Sequence, residues 1–266
     1  MTKGVRRRSY FLGVLGTWVA ITLAATHSAS SAEKAGALRP DVKKEREEKS
    51  PHLFRKIGGD FQSLFTSETN FAIVGAGLGA SLVLMEFDPE LTRNASDSVE
   101  LNGFFRYGDV AGEGFVHTGG ALSTWLLGKL IRKRGVEDLG RDLISAQVLA
   151  QTMTHAIKQA VNRTRPDGAP LSFPSGHTST AYATASVLHR RYGWKAGVPA
   201  FALAAYVAGS RVQDRRHFPS DIVFGATLGV VAGRSVRIGN GNHRLVLLPL
   251  VRPDGAGVQV TLFPAP

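Results

Sequence analysis

Three short polar runs between Lys158 and Asp221 stand out for the chemistry their side chains could do together. The first, Lys158-Gln-Ala-Val-Asn-Arg-Thr-Arg165-Pro166, sets two cations seven residues apart. At about 100° per residue that separation falls within about 20° of two full turns, so an unbroken helix puts both on one face. Two cations on one face suit an anion, although a basic stripe by itself is more often a solvated surface. The second run, Phe173-Pro174-Ser175-Gly176-His177-Thr178-Ser179-Thr180, leads into an Ala-rich helix. Pro174 fits a first-turn position, and Ser175 and Gly176 then offer backbone N–H groups at the positive end of a helix, where anions bind. The third run is Ser210-Arg211-Val-Gln-Asp-Arg-Arg-His217-Phe-Pro219-Ser-Asp221. If Pro219 opens the next helix, His217 lies just outside it and Asp221 sits in its first turn, within reach of the imidazole. A carboxylate on one ring nitrogen fixes the tautomer and leaves the other nitrogen's lone pair free, as a nucleophile or base requires. Together the runs specify an anion, two imidazoles and one carboxylate.

K-x6-R-P, then P-S-G-H, then S-R-x5-H-x3-D, in this order, resembles the three-part signature of the phosphatidic acid phosphatase type 2 superfamily, and each named position is matched between 158 and 221. The resemblance implies metal-free phosphoryl transfer through a phosphohistidine, with no cofactor. His217 would be the nucleophile, oriented by Asp221. His177 would protonate the leaving oxygen and then activate water. Lys158, Arg165 and Arg211, with Ser175 and the Gly176 N–H, would bind the phosphate oxygens, and three cations would neutralise the spread charge. The short stretch between Arg165-Pro166 and Pro174-Ser175 implies an open mouth to the site. Substrates implied are phosphorylated lipids, isoprenoid pyrophosphates or small phosphate esters.

Four other chemistries use overlapping residues. Vanadium haloperoxidases share the same residue pattern with vanadate in the phosphate site. An acyl hydrolase on Ser175, His217 and Asp221 lacks a G-x-S-x-G elbow. A metal hydrolase on His177, His217 and Asp221 would crowd its ligands with cations. An exported protein that holds phosphate without turnover would leave two imidazoles unused. His155, one turn before Lys158, and His117 and His189 read as ordinary helix residues, and Arg215 and Arg216 as a solvated pair.

The elements that must position these residues follow from composition and pattern. The chain has 266 residues, 43% hydrophobic and 20% charged, enough for one folded domain with a buried core. With no cysteine, a disulfide scaffold, thiolate metal sites and a cysteine nucleophile are excluded. Lys3, Arg6, Arg7 and Arg8 precede an apolar run from Tyr10 to Ala25 and the small residues Ser28 to Ala32, the order of a secretory signal peptide over 1–32. Removing it takes away four basic residues and no acidic one, which lowers the net charge from +11 to +7. Residues 33–52 read as a charged linker. An exported chain without aromatic-basic interleaving does not suggest a nucleic-acid partner.

From Leu53 the pattern is helical, with candidates near 53–65, 69–86, 111–134, 138–161, 177–191, 195–209 and 219–233. The expected fold is all-α, a bundle of about six helices over 53–235. A short C-terminal β-hairpin over 236–266 is read from the Val- and Leu-rich runs 244–251 and 258–263 around a Pro-Asp-Gly turn. Phe71 to Met85, Phe115 to Gly128 and Ala196 to Ser210 carry no charge, but each is shorter than the ~20 residues a membrane span wants. The pattern favours an exported bundle in water or on a membrane surface at the periplasmic side, with short tilted spans as the alternative. Nothing in the sequence fixes the oligomeric state.

Overall fold

The computed structural model describes residues 53–98, 103–105, 108–238, 244–252 and 255–263. The signal peptide and linker expected over 1–52 lie outside them. The chain divides into two units, Met1–Val236 and Arg237–Pro266. In the second, Arg244–Arg252 pairs antiparallel with Gly255–Phe263, Arg244 opposite Phe263 and Arg252 opposite Gly255. Every residue of the candidate site belongs to the first unit, whose described residues are all-α.

That unit contains α1 (Leu53–Thr66), α2 (Glu68–Met85), α3 (Asp88–Ser96), the short α4 (Gly108–Gly112), α5 (Gly114–Leu130), α6 (Arg134–Val161), α7 (Gly176–Tyr192), α8 (Trp194–Gln213) and α9 (Pro219–Ser235). The expected count of about six helices is therefore corrected: among the described residues eight helices have nine residues or more. The addition that matters is α3. Its sequence Asp-Pro-Glu-Leu-Thr-Arg-Asn-Ala-Ser is mostly polar, with only Leu91 and Ala95 to make an apolar stripe, and its clearest mark is its acidic, Pro-containing first turn.

α7 is the central helix, packed against α9, α8 and α6, while α5 lies on α6 and α2 on α9. One apolar cluster joins α7 to α8 through Ala181, Ala185, Ala204 and Val207. Another places the stacked rings of Phe173 and Phe224, 5.1 Å apart, beside Leu228, Val74 and Ile157. The α7–α9 seam is unusually close. Gly225, Gly229 and Gly233 recur every four residues along α9, and a Cβ there would lie 2.6 Å from the Ser175 carbonyl oxygen, 2.4 Å from that of Ser179 and 2.4 Å from the Ser186 Cβ. Small residues at that period let two backbones approach closely. The seam also brings the starts of the two helices together: the Ser175 N–H donates to the Asp221 carbonyl at 3.0 Å.

α1 and α2 are built inside out. On α1 the inward residues are Lys56, Asp60 and Leu64, whereas Phe54 is 87% and Phe65 61% exposed. Lys56 pairs with Asp60 (2.9 Å) and with Asp142 of α6 (3.0 Å), Ser145 donates to Asp60 (2.7 Å), and Arg191 of α7 donates to Asp142 (2.6 Å). On α2 the buried residues are Asn70 and Ser81, which donate to the Ser235 hydroxyl (2.9 Å) and the Ser220 carbonyl (2.9 Å). Phe71, Leu82 and Val83 of α2 face outward. α2 is the one helix among the described residues long and apolar enough, by length and composition, to cross a membrane.

The glycine seam yields a paired test. Gly229→Ala must push its methyl into backbone, whereas Gly75→Ala on α2 meets no heavy atom within 4 Å. Both gain the same intrinsic helix preference, roughly 0.5–1 kcal/mol, so the difference isolates the close approach, for which overpacking costs about 1–3 kcal/mol. Thermal unfolding in detergent should show a lower Tm for Gly229→Ala and an unchanged or higher Tm for Gly75→Ala. Equal Tm values would mean that the seam opens freely.

Candidate active site

The three polar runs meet at one end of the bundle, around a cavity of ≈ 200 Å³ lined by Lys158, Arg165, Gly176, His177 and His217, with Gln151, Thr154, His155 and Thr180 towards its other side. Each motif residue arrives by a distinct local device.

Lys158 lies in the last turn of α6, buried, with its ammonium donating to the carbonyls of Leu171 and Ser172. The helix then stops at Asn162, whose left-handed backbone (φ 46°) is a C-cap that Asn tolerates. An unbroken helix therefore does not carry Arg165, as the seven-residue spacing suggested. Arg165 reaches the same cavity because the chain turns back, closed by Arg165 N–H to the Ala169 carbonyl (2.8 Å) and Gly168 N–H to the Arg165 carbonyl (3.0 Å). The Arg165 Nε is buried with no protein hydrogen-bond partner. Burial and the neighbouring Arg165 charge lower the Lys158 ammonium to about 8, against the pull of Asp221.

α7 starts at Gly176, two residues later than Pro174 in a first turn would require. Pro174 follows a cis peptide bond and precedes the Ser175 cap. The Ser175 hydroxyl accepts from the Thr178 hydroxyl (3.0 Å) and more distantly from its N–H (3.4 Å), so it serves the helix start, and Ser175 is not among the residues lining the cavity. Gly176 is the first helical residue, and its N–H has no intrahelical carbonyl to reach. A Cβ there would meet only ordinary contacts, Thr154 at 3.8 Å and Lys158 at 3.9 Å. The protein's own packing thus does not demand glycine at this cavity-lining position, which a ligand approaching the backbone would. His177 follows, its Nε2 3.7 Å from Glu113 Oε1.

Pro219 opens α9 as expected, which leaves His217 before the helix and Asp221 within its first turn. His217 Nδ1 faces Asp221 Oδ2 at 3.6 Å, longer than a hydrogen bond, a contact of the kind that tightens as a reacting geometry is reached. The opposite ring nitrogen is left for the cavity. Burial lowers the imidazole to about 4, with Asp221 opposing and Lys158 adding to the shift, so His217 is neutral near pH 7. Burial pushes Asp221 up, but the facing His217 imidazole and hydrogen bonds from Ser172 and the Phe218 N–H outweigh it and hold the carboxyl below its ordinary value. Those donors lie at 2.5 Å (Ser172) and 2.8 Å (Phe218). Arg211 is 1% exposed, donates to Asp214 at 2.8 Å and is not among the residues lining the cavity, although its charge is felt at Arg165.

Three residues at the site escape a reading of the motifs alone: Arg163 and Asp88, which pair behind Asp221, and Ser172. Arg163 stood in view between Lys158 and Arg165. Asp88 lies 133 positions from Asp221, and no local signal links them. Among the described residues no cluster of three or more His, Cys, Asp or Glu has metal-holding geometry.

The family model of the PAP2 superfamily matches residues 140–243. The chain is similar to a lipid A 1-phosphatase of Porphyromonas gingivalis, 38% identical over 101 residues, which are 35% of this chain and 23% of that one. It is also similar to a decaprenylphosphoryl-5-phosphoribose phosphatase of Mycobacterium tuberculosis, 30% identical over 145 residues, 49% of this chain and 80% of that protein. The crystal structure of Aquifex aeolicus LpxE superposes with a TM-score of 0.47 at 25% identity, covering 56% of this chain and 93% of that one. The chain thus spans under a quarter of the first relative's length but four-fifths of the second's. With the family model falling on the segment that holds Lys158, His177, His217 and Asp221, and with a relative matched over most of its length, this chain belongs to the PAP2 superfamily.

Proposed function

We propose that this protein is a phosphatase that hydrolyses lipid phosphate esters through a phosphohistidine on His217, with no metal required. The observation that carries this is the convergence on one cavity of a neutral imidazole backed by a carboxylate, a second imidazole, two cations and a helix N-terminus. The His217 nitrogen opposite Nδ1 attacks phosphorus. The bond to the leaving oxygen breaks as His177 gives that oxygen its proton. His177 then takes a proton from water, whose oxygen attacks the phosphoryl group and breaks the P–N bond, so that both imidazoles return to their starting states. Lys158, Arg165 and the Gly176 N–H hold the phosphoryl oxygens, and the Arg211 charge, felt at Arg165, adds to the positive field. Phosphoryl transfer depends chiefly on such positioning and charge neutralisation.

A lipid substrate is supported by the relatives, which are named as phosphatases of lipid A and of a decaprenylphosphoryl sugar phosphate. The outward Phe and Leu side chains of α1 and α2 support a location against lipid. An exported chain, cleaved after Ala32, would then work at the periplasmic face of a membrane, with residues 53–235 as the phosphatase domain and 236–266 as an extension.

The purified chain in detergent should release phosphate from an aryl phosphate and from a long-chain lipid phosphate with EDTA present, and vanadate should block it. His217→Ala should lower turnover by about 10³-fold or more; a strict divalent-metal requirement would overturn the mechanism. His177→Ala should slow an alkyl phosphate by about 10²–10⁴-fold and an activated aryl phosphate much less, whereas equal losses would contradict its role as the acid.

A second test uses pH. The nucleophile must be neutral, the acid His177 protonated and the Lys158 cradle charged, so kcat/KM, corrected for the substrate's own ionisation, should fall below about 4 as His217 protonates, and its alkaline limb, set by loss of the His177 or the Lys158 proton, should lie no higher than about 8. An acid limb at the ordinary imidazole value near 6.5 would contradict the assignment.

A further inference from the structure

Arg163 shares a motif with Lys158 and Arg165 but does different work. Its Nη1 donates to Asp221 Oδ1 (2.9 Å) and to the Ser220 hydroxyl (2.7 Å), and its Nη2 donates to Asp88 Oδ2 (2.8 Å). The guanidinium lies over the Phe218 ring, its Cζ 4.2 Å from the centroid. Asp88 is itself wholly buried, accepting from the Ser220 N–H (3.0 Å) and the Ser220 hydroxyl. The guanidinium is thus held on three sides, by two buried carboxylates and an aromatic face, and both its terminal nitrogens are engaged with groups behind the cavity. That engagement separates it from Arg165, which lines the cavity.

A carboxylate that orients an imidazole has to be fixed in rotation. Asp221 Oδ2 already receives Ser172 and the Phe218 N–H while facing His217, and without a partner on Oδ1 the group could turn about its Cβ–Cγ bond. A planar, bidentate cation is the side chain best suited to stop that. We propose that Arg163, itself fixed by Asp88, is a positioning residue for the phosphoryl transfer, clamping Asp221 Oδ1 so that Oδ2 stays directed at His217. This rests on His217 being the nucleophile. Arg163 also has an electrostatic effect. The charged and titratable groups around His217 are Asp221 of α9, Lys158 of α6 and Arg165 of the following turn, with His155 of α6 and His177 of α7 lining the same cavity and Arg211 of α8 paired to Asp214. Arg163 offsets part of the Asp221 charge, and removing it exposes His217 to the whole of that charge.

The test compares Arg163→Gln, Arg163→Lys and Asp88→Asn with the wild-type full chain in detergent, measuring kcat, KM and the pH dependence of kcat/KM with an aryl phosphate, beside thermal unfolding. Arg163→Gln should lower kcat by about 10–100-fold, the range for losing a partner behind an oriented imidazole. KM should stay within about threefold, because Lys158 and Arg165 are untouched. Its acid limb should move to higher pH, since an uncompensated carboxylate makes the imidazole more basic. Arg163→Lys should restore the wild-type acid limb and part of kcat, and Asp88→Asn should lower kcat without raising the limb. If Arg163→Gln does not fold, the other two variants decide the matter by kcat loss without KM change. Losses that track only the unfolded fraction, with the acid limb unmoved, would overturn the proposal, as would a raised KM at constant kcat, which would make Arg163 a phosphate ligand. Full activity in His217→Ala would instead overturn the reading on which it rests.

Discussion

A carboxylate with no exposure to solvent constrains this fold more than any other group. Asp221 is 0% exposed, and a buried unpaired charge is not tolerated, so its oxygens must be met by donors from wherever the chain can bring them. They come from three separate stretches: Arg163 after α6, Ser172 in the loop before α7, and the Phe218 N–H at the head of α9. Its own backbone carbonyl receives the Ser175 N–H, which ties in the start of α7. The three polar runs are therefore parts of one network around one carboxylate. Satisfying Asp221 also places His217, His177 and the cations at a common cavity.

Burial does two further things there. It keeps His217 neutral, which a nucleophile requires, and it weakens the hold of Lys158 on its proton without removing it at neutral pH. A neutral imidazole and a charged ammonium then coexist over a broad window, although each disfavours the other's charged form. The cations divide by their partners: Lys158 and Arg165 line the cavity, while Arg163 is engaged with Asp88 and Asp221 and Arg211 with Asp214.

The chemistry-bearing residues were legible because their spacing is local. Ser-Gly-His at a helix start, and His followed four residues later by Asp across a Pro, specify geometry within one turn, and the structure keeps both. The Lys158–Arg165 pairing was right in outcome and wrong in means, since Asn162 ends the helix between them and a tight turn restores the approach. What stayed hidden was long-range. Asp88 sits on a mostly polar helix and meets Ser220 and Arg163 only in the folded chain. The Ser175 hydroxyl oxygen, expected at the phosphate, also accepts the hydrogen bonds that cap α7. The helix expected near 53–65 is present as α1, but nothing local says which of its faces turns inward. Here Lys56 and Asp60 do, because Asp142 and Ser145 of α6 await them.

The central claim is that phosphorus becomes bonded to His217 during turnover. The most direct measurement is to stop the enzyme with alkali during steady-state hydrolysis, a condition that preserves phosphohistidine, and to locate the phosphoryl group by peptide mass spectrometry. The account predicts a phosphoryl group on His217 that is lost on brief acid treatment. Its appearance on Ser175 or His177, or its absence from every residue while phosphate is being released in the same sample, would contradict it.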